Sequence, residues 1–317
     1  MALDLAAIRA AHERIRPHIN RTPVLTSTRF DAAAGGFLFF KCENFQKVGA
    51  FKARGATNAV FSLDDAAAKR GVATHSSGNH AAALSRAAKL RGIAAHIVMP
   101  SNSSKVKVRA VEGYGGRIVF CEPTQMAREA TCVRVIDETG ATLIHPFENE
   151  DVMAGQGTAA VELLEDVSDL DLILCPVGGG GLLCGTAVAA KTLRPKIKVI
   201  ATEPAAAGDA AQSFRAGRLM PLEKTDTIAD GLRTNVGAPN FALIQRHVDD
   251  VVTVSEDAIV AAMRTIWETM KIVVEPSAAV PYAAILEDKI DLRDQRTGII
   301  LTGGNVDLDA LPWMRKE

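Results

Sequence analysis

Apolar residues in this chain follow two alternating rhythms: short continuous runs bounded by glycine or proline, and longer stretches in which they recur at helical spacing. Gly71-Val72-Ala73-Thr74-His75 reads as a short strand ending in Ser76-Ser77-Gly78-Asn79. A helix follows from His80 through Ala81, Leu84, Ala87, Ala88 and Leu90 to a stop at Gly92. Ile93 to Met99 predicts a second strand closed by Pro100, and Arg117 to Cys121 a third. A helix from about Gln125 to Glu138, ended by Gly140, comes next. Leu170 to Val177 is almost wholly apolar, as expected of a strand covered on both faces, and Lys198 to Thr202 and Thr297 to Thr302 repeat the pattern. Such alternation predicts an α/β fold: open, mainly parallel sheet with helices on both faces. No long linker, low-complexity tract or internal repeat interrupts it.

Composition narrows the partners. With 317 residues, 48% of them hydrophobic, the chain has ample material for one large or two medium domains. A net charge of −1 supplies no basic field for nucleic acid or anionic lipid, and aromatics at 5% argue against base-stacking platforms. No stretch approaches the ~20 apolar residues that span a bilayer. Met1 to Arg21 mixes apolar and charged residues, so no secretory leader is expected. Cys42, Cys121, Cys132, Cys175 and Cys184 are scattered without a C-x-x-C pair, which predicts buried thiols in a cytoplasmic protein. The expected partner is a small molecule, with no nucleic acid and no membrane.

Ligands of open α/β sheets sit beyond the carboxyl ends of strands, so the loops after strands matter most. Pro176-Val177-Gly178-Gly179-Gly180-Gly181-Leu182 joins a buried strand to a helix. By itself a glycine run is a flexible turn; in this place it favours a cradle of backbone N–H groups for a phosphate. It lacks the Lys-Ser/Thr pair of a nucleotide P-loop and does not fit G-x-G-x-x-G. Ser76-Ser77-Gly78-Asn79-His80 also precedes a helix, as an ordinary N-cap or, with so many polar and glycyl residues together, as a carboxylate cradle. Lys52, between Phe51 and Ala53, is in isolation a solvated helix charge; an apolar setting would instead lower its pKa and make it a Schiff-base former.

Taken together and in order, these loops resemble the fold-type II pyridoxal-phosphate enzymes, the serine racemase and serine/threonine dehydratase branch above all. The resemblance runs from Arg21-Thr22-Pro23 to Thr302-Gly303-Gly304-Asn305-Val306-Asp307. It includes Phe51-Lys52-Ala53-Arg54-Gly55-Ala56, Ser76 to His80, Ala154-Gly155-Gln156-Gly157-Thr158, the tetraglycine loop, Ala229-Asp230-Gly231 and Glu275-Pro276-Ser277. It implies the tryptophan synthase β-like fold, with two open parallel sheets. A small domain of about residues 67–145 would close over a large domain of 1–66 and 146–317. Pyridoxal 5′-phosphate is implied as cofactor. Lys52 would bind its aldehyde, Phe51 and Gly231 would flank its ring, Asn79 would reach its 3′ oxygen, and Gly178 to Gly181 would hold its phosphate. Thr302 falls where the family places a hydroxyl beside the pyridine nitrogen, which favours elimination or racemisation over transamination. Ser77 matches the second acid or base of serine racemases; Ser76, Ser77, Gly78, Asn79 and His80 would hold the substrate carboxylate.

The same resemblance implies a homodimer and a Mg²⁺ or Mn²⁺ ion held by Glu203, the Ala207 carbonyl and Asp209. Two acids in a loop are by themselves ordinary solvated charge. Where animal serine racemases carry a glutamine and a tyrosine of the nucleotide site, Ala82 and Phe120 are expected here, so ATP activation is not. Arg134, on the Gln125–Glu138 helix, is expected to face the cleft and offer a bidentate partner for a second carboxylate, against the alternative of a solvated surface arginine. The expected activity is an ammonia-lyase that dehydrates a β-hydroxy amino acid, with 3-hydroxyaspartate preferred over serine or threonine. Amino-acid racemisation is the alternative, and a non-catalytic binding protein ranks below both.

Overall fold

The computed structural model describes residues 3–76, 78–103 and 105–314. The amino-terminal part runs α1 (Leu5–Ile15), β1 (Val24–Leu25), α2 (Thr28–Ala34), β2 (Phe37–Cys42), α3 (Lys52–Ser62) and α4 (Asp65–Arg70). Then come β3 (Val72–His75), α5 (Asn79–Arg91), β4 (Ala95–Pro100), α6 (Lys105–Gly113), β5 (Arg117–Cys121), α7 (Gln125–Thr139) and β6 (Thr142–Leu143). The remainder holds α8 (Glu150–Asp166), β7 (Leu172–Pro176), α9 (Gly181–Leu193), β8 (Lys198–Pro204), α10 (Asp209–Ala216), α11 (Ala238–His247), β9 (Asp250–Val254), α12 (Glu256–Met270), α13 (Pro276–Leu286) and β10 (Arg296–Leu301).

The strands form two sheets. Six are ordered β1-β2-β10-β7-β8-β9, parallel except for the short β1, which runs antiparallel to β2. Four are ordered β5-β4-β3-β6 and are all parallel. Each strand predicted from an apolar run is present, with ends shifted by a residue or two. Burial explains the pattern: β7 has no exposed position, because α12 and α13 cover one face of the large sheet while α9 and α11 cover the other. Phe30, Phe40 and Tyr282 pack edge to face in the first of those cores.

Helix α8 joins the parts that matter for chemistry. Its Gly155 lies so close to Gly55 of α3 that a Cβ would sit 2.6 Å from the Gly55 Cα, and Gly157 meets Gly185 of α9 equally tightly. Buried Arg54 of α3 donates to Glu162 of α8 and to Glu43, and buried Lys41 donates to the same Glu162. Small residues bring the backbones together, and the paired charges fix the rotation of α3. Lys52, at its first turn, is held accordingly.

Candidate active site

The start of α3 is tied to the end of β10: Phe51 N donates to the Thr302 carbonyl at 2.9 Å, and Ala50 bridges to Gly303. Lys52 therefore stands at the carboxyl edge of the large sheet. Its Nζ donates to the Pro146 carbonyl at 2.8 Å and lies 5.1 Å from the centre of the Phe51 ring. Burial draws its pKa down to about 8, against the opposing pull of the Glu275 carboxylate. Roughly a quarter of such an amine is neutral at about pH 7.5, far more than of a free lysine.

The tetraglycine loop leaves β7 and enters α9. Gly180 takes φ 94°, a left-handed conformation, and no side chain caps the helix. A Cβ on Gly179 would lie 2.3 Å from the Phe147 ring. The first N–H groups of this 13-residue helix thus converge without competing side chains, with the positive end of its dipole behind them. Thr302 is buried at the end of β10, and Gly231 N donates to Ser277 Oγ at 3.1 Å. A buried lysine with a lowered pKa, an uncapped helix start backed by its dipole and a buried hydroxyl at the sheet edge fit the aldehyde, the phosphate and the ring nitrogen of pyridoxal phosphate.

The second loop lies across the cleft on the small sheet. Ser76 Oγ accepts from Gly78 N at 3.5 Å; Ser77 lies outside the described residues. Asn79 donates to both oxygens of Glu275 at 2.9 and 3.1 Å and accepts from Asn305 Nδ2 at 2.9 Å, so its amide spans the two sheets' units. His80 is buried and strongly shifted, to about 3, by burial and by Lys52. Its neutral ring faces the Ile144 carbonyl through Nε2 at 3.1 Å, which makes Nε2 the donor and leaves Nδ1 an unpartnered acceptor. A carboxylate would accordingly meet the His80 backbone N–H, not its ring. A cavity of about 720 Å³ opens here, lined among others by Gly49, Gly78, Asn79, Lys107, Asp230 and Asn305, and Lys107 pairs with Asp230 across its mouth.

One expected site residue lies elsewhere. Arg134 is 57% exposed and pairs with Glu138 one turn on, because Cys132 and Val135 take the buried face of α7. Arg134 therefore faces solvent and not the cleft, contrary to expectation. Arg128 shares the inner face at i, i+4 and i+7 with those two residues, and its Nε is buried without a partner. His75 is lowered by burial and, more weakly, by the Arg128 charge. The His75 ring packs edge-on to His145, which is itself lowered to about 4 by burial, His75 and Lys52. Phe120 is exposed on β5, whereas Ala82 lines the cavity together with Tyr114.

Glu275 was a motif residue with no assigned role. It is buried and raised to about 7 by burial and by Asp230, and it organises Asn79 and Asn305 N. An acid immediately before a helix-starting proline was the available signal. Glu203, at the end of β8, is buried and accepts from Ala210 N and Ala211 N, while Asp209 accepts from Val236 N at 2.7 Å. Burial raises both, Glu203 to about 8 and Asp209 to about 6, so each favours its neutral form unless a positive charge lies beside it. Among the described residues no group of three or more His, Cys, Asp or Glu side chains converges.

Residues 15–303 match the family model described as pyridoxal-phosphate dependent enzyme. The chain belongs to the pyridoxal-phosphate-dependent enzymes. Within that family it is 51% identical over 304 residues to β-hydroxyaspartate dehydratase of Paracoccus denitrificans (strain Pd 1222), covering 96% of each chain. It is 50% identical over 315 residues to serine racemase of Oryza sativa subsp. indica, covering 98% of this chain and 93% of that one. Its fold superposes on maize serine racemase with a TM-score of 0.96 at 49% identity, over 98% of this chain and 95% of the other. Pyridoxal phosphate is thus the family's cofactor, and the two sheets are those of fold-type II enzymes. No helix among the described residues is long and apolar enough to cross a membrane.

Proposed function

We propose that this family member is an ammonia-lyase that dehydrates 3-hydroxyaspartate to oxaloacetate and ammonia. The observation that carries the choice is Arg128: a cation on the inner face of α7 with an unpartnered Nε, near the His75–His145 pair that leads to Lys52. A second carboxylate, which serine and threonine lack, is the ligand that matches a planar guanidinium. The name of the Paracoccus relative points the same way.

When bound, pyridoxal phosphate supplies the electron sink that makes the substrate Cα–H acidic. Gly178 to Gly181 would hold its phosphate, Thr302 would offer its hydroxyl to the ring nitrogen, Phe51 and Gly231 would lie against its ring, and Asn79 would reach its 3′ oxygen. The neutral fraction of Lys52 Nζ takes the Cα proton and can deliver it to the departing β-hydroxyl. Backbone N–H groups of residues 76–80 hold the α-carboxylate. We assign 67–145 as the unit that closes over 1–66 and 146–317, excluding water. Racemisation is the second reading, favoured by the serine racemase relatives, and rests on Ser77 as the acid on the opposite face. Glu203, the Ala207 carbonyl and Asp209 would hold Mg²⁺ or Mn²⁺ as a structural ion. Chelation is expected to lower the melting temperature and its reversal by Mg²⁺ to restore it; an unchanged melting curve refutes the site.

The test of function is a panel of serine, threonine and the 3-hydroxyaspartate isomers, read as keto-acid release and as chiral inversion. Hydroxyaspartate is expected to lead. Preference for threonine, or inversion exceeding elimination, overturns the reading.

A further inference from the structure

Asn240 belongs to no motif and lines neither the lysine nor the ring site, yet it lies completely buried beneath the tetraglycine loop. It is the third residue of α11, and its Nδ2 donates to the Gly179 carbonyl at 2.6 Å and to the Phe147 carbonyl at 3.1 Å. The Gly179 carbonyl also accepts from Gly237 N at 3.2 Å, so α11 and the residue before it grip one peptide plane from two sides. In a planar trans peptide the C=O and N–H point in opposite directions. Drawing the Gly179 carbonyl into α11 therefore turns the Gly180 N–H away from α11, to the free side of the loop. Left-handed Gly180 packs directly on the Asn240 side chain, 3.1 Å from its Cβ to the place a Cβ would occupy.

A second, independent feature marks the residue. Asn240 Oδ1 is buried with no hydrogen-bond partner. Buried polar atoms are almost always paired, and an unmet one in so dense a place calls for a reason. Furthermore, the peptide before the Phe147 carbonyl carries the Pro146 carbonyl that accepts from Lys52 Nζ. One amide thus ties the glycine loop to the turn where the reactive amine rests.

We infer that Asn240 is a positioning residue for the cofactor phosphate: it presets the tetraglycine loop in its anion-binding shape and couples that loop to the Lys52 resting site. The inference rests on the glycine loop being the phosphate cradle. The experiment measures dissociation constants of the apoprotein for pyridoxal phosphate and for pyridoxal, which lacks the phosphate, by visible absorbance. Wild type is expected to prefer the phosphorylated form strongly. Asn240→Asp keeps the shape but removes the donors, and Asn240→Ala removes the amide altogether. Both should weaken pyridoxal phosphate binding by about 10- to 100-fold and pyridoxal binding by less than about threefold, as befits loss of the hydrogen bond that fixes the Gly179 carbonyl and of the tie to Phe147, with Lys52 itself left in place. Equal weakening for both ligands would mean a general packing role, and unchanged binding would mean no role; either overturns the inference. A wild type indifferent to the phosphate would instead overturn the cradle itself. Asn240→Ala decides the matter if the aspartate variant does not fold.

Discussion

Two loops in this molecule do the same job by sequence and opposite jobs by packing. Each follows a parallel strand and enters a helix whose start no side chain caps: Gly178 to Gly181 between β7 and α9, and Ser76 to Asn79 between β3 and α5. The first is gripped on every side. Cβ atoms on Gly178 and Gly179 would meet Leu232, Thr234 and Phe147 within 3.1 Å, and the Gly179 carbonyl is held twice. The second is open: a Cβ on Gly78 would meet nothing within 4 Å. Among its described residues the tether is Asn79, bound to Glu275 and Asn305 of the other unit. A site that must always hold its ligand is built rigid, and one that must admit and release substrate every cycle is built to close. The proposed division of labour, cofactor phosphate on the rigid loop and substrate carboxylate on the open one, follows from that contrast.

The largest effect is expected at the amine between them. Lys52→Ala should lose the visible absorption of the bound cofactor and at least about a thousandfold of elimination, while its circular dichroism stays native. Capture of the cofactor by wild-type apoprotein should accelerate as pH rises through about 8, because burial places the Lys52 pKa there and only the neutral amine attacks. A Lys52→Ala protein that turns over normally contradicts the assignment.

The next substitution pair puts the contrast itself at risk. Gly179→Ala drives a methyl into the Phe147 ring and should cost about 1–3 kcal/mol of stability together with most of the cofactor affinity. Gly78→Ala enters open space and should leave cofactor affinity within about twofold, raising KM for the amino acid instead. Amide exchange should agree: a dicarboxylate inhibitor should slow exchange around residues 78–82 more than around 178–183. Equal behaviour of the two loops would dissolve the distinction.

Much of this was legible in the chain before its fold. The buried strands announce themselves because β7, β8 and β10 are covered on both faces, and a parallel sheet leaves no polar alternation to confuse the reading. The glycine loop was legible because four glycines after such a strand leave few structural uses. What stayed hidden depended on distance in three dimensions. Glu275 finds Asn79 across 196 positions, and nothing local to Glu275-Pro276-Ser277 says so. Arg134 and Arg128 lie on one helix, and only the buried face set by Cys132 and Val135 distinguishes them. Asn240 looks like any polar residue in the first turn of a helix until the Gly179 carbonyl is seen beneath it.

The proposed function stands or falls with recognition of a dicarboxylate by Arg128 in the open half of the site. The most direct test compares kcat/KM for 3-hydroxyaspartate and for serine in wild type and Arg128→Ala, with Arg134→Ala as the solvent-facing control. Losing one charge-assisted contact costs about 1.5–3 kcal/mol, so Arg128→Ala should cut hydroxyaspartate efficiency by roughly one to two orders of magnitude and serine efficiency by far less. Arg134→Ala should change neither. Equal loss on both substrates in Arg128→Ala, or a selective loss of hydroxyaspartate efficiency in Arg134→Ala, would contradict the claim.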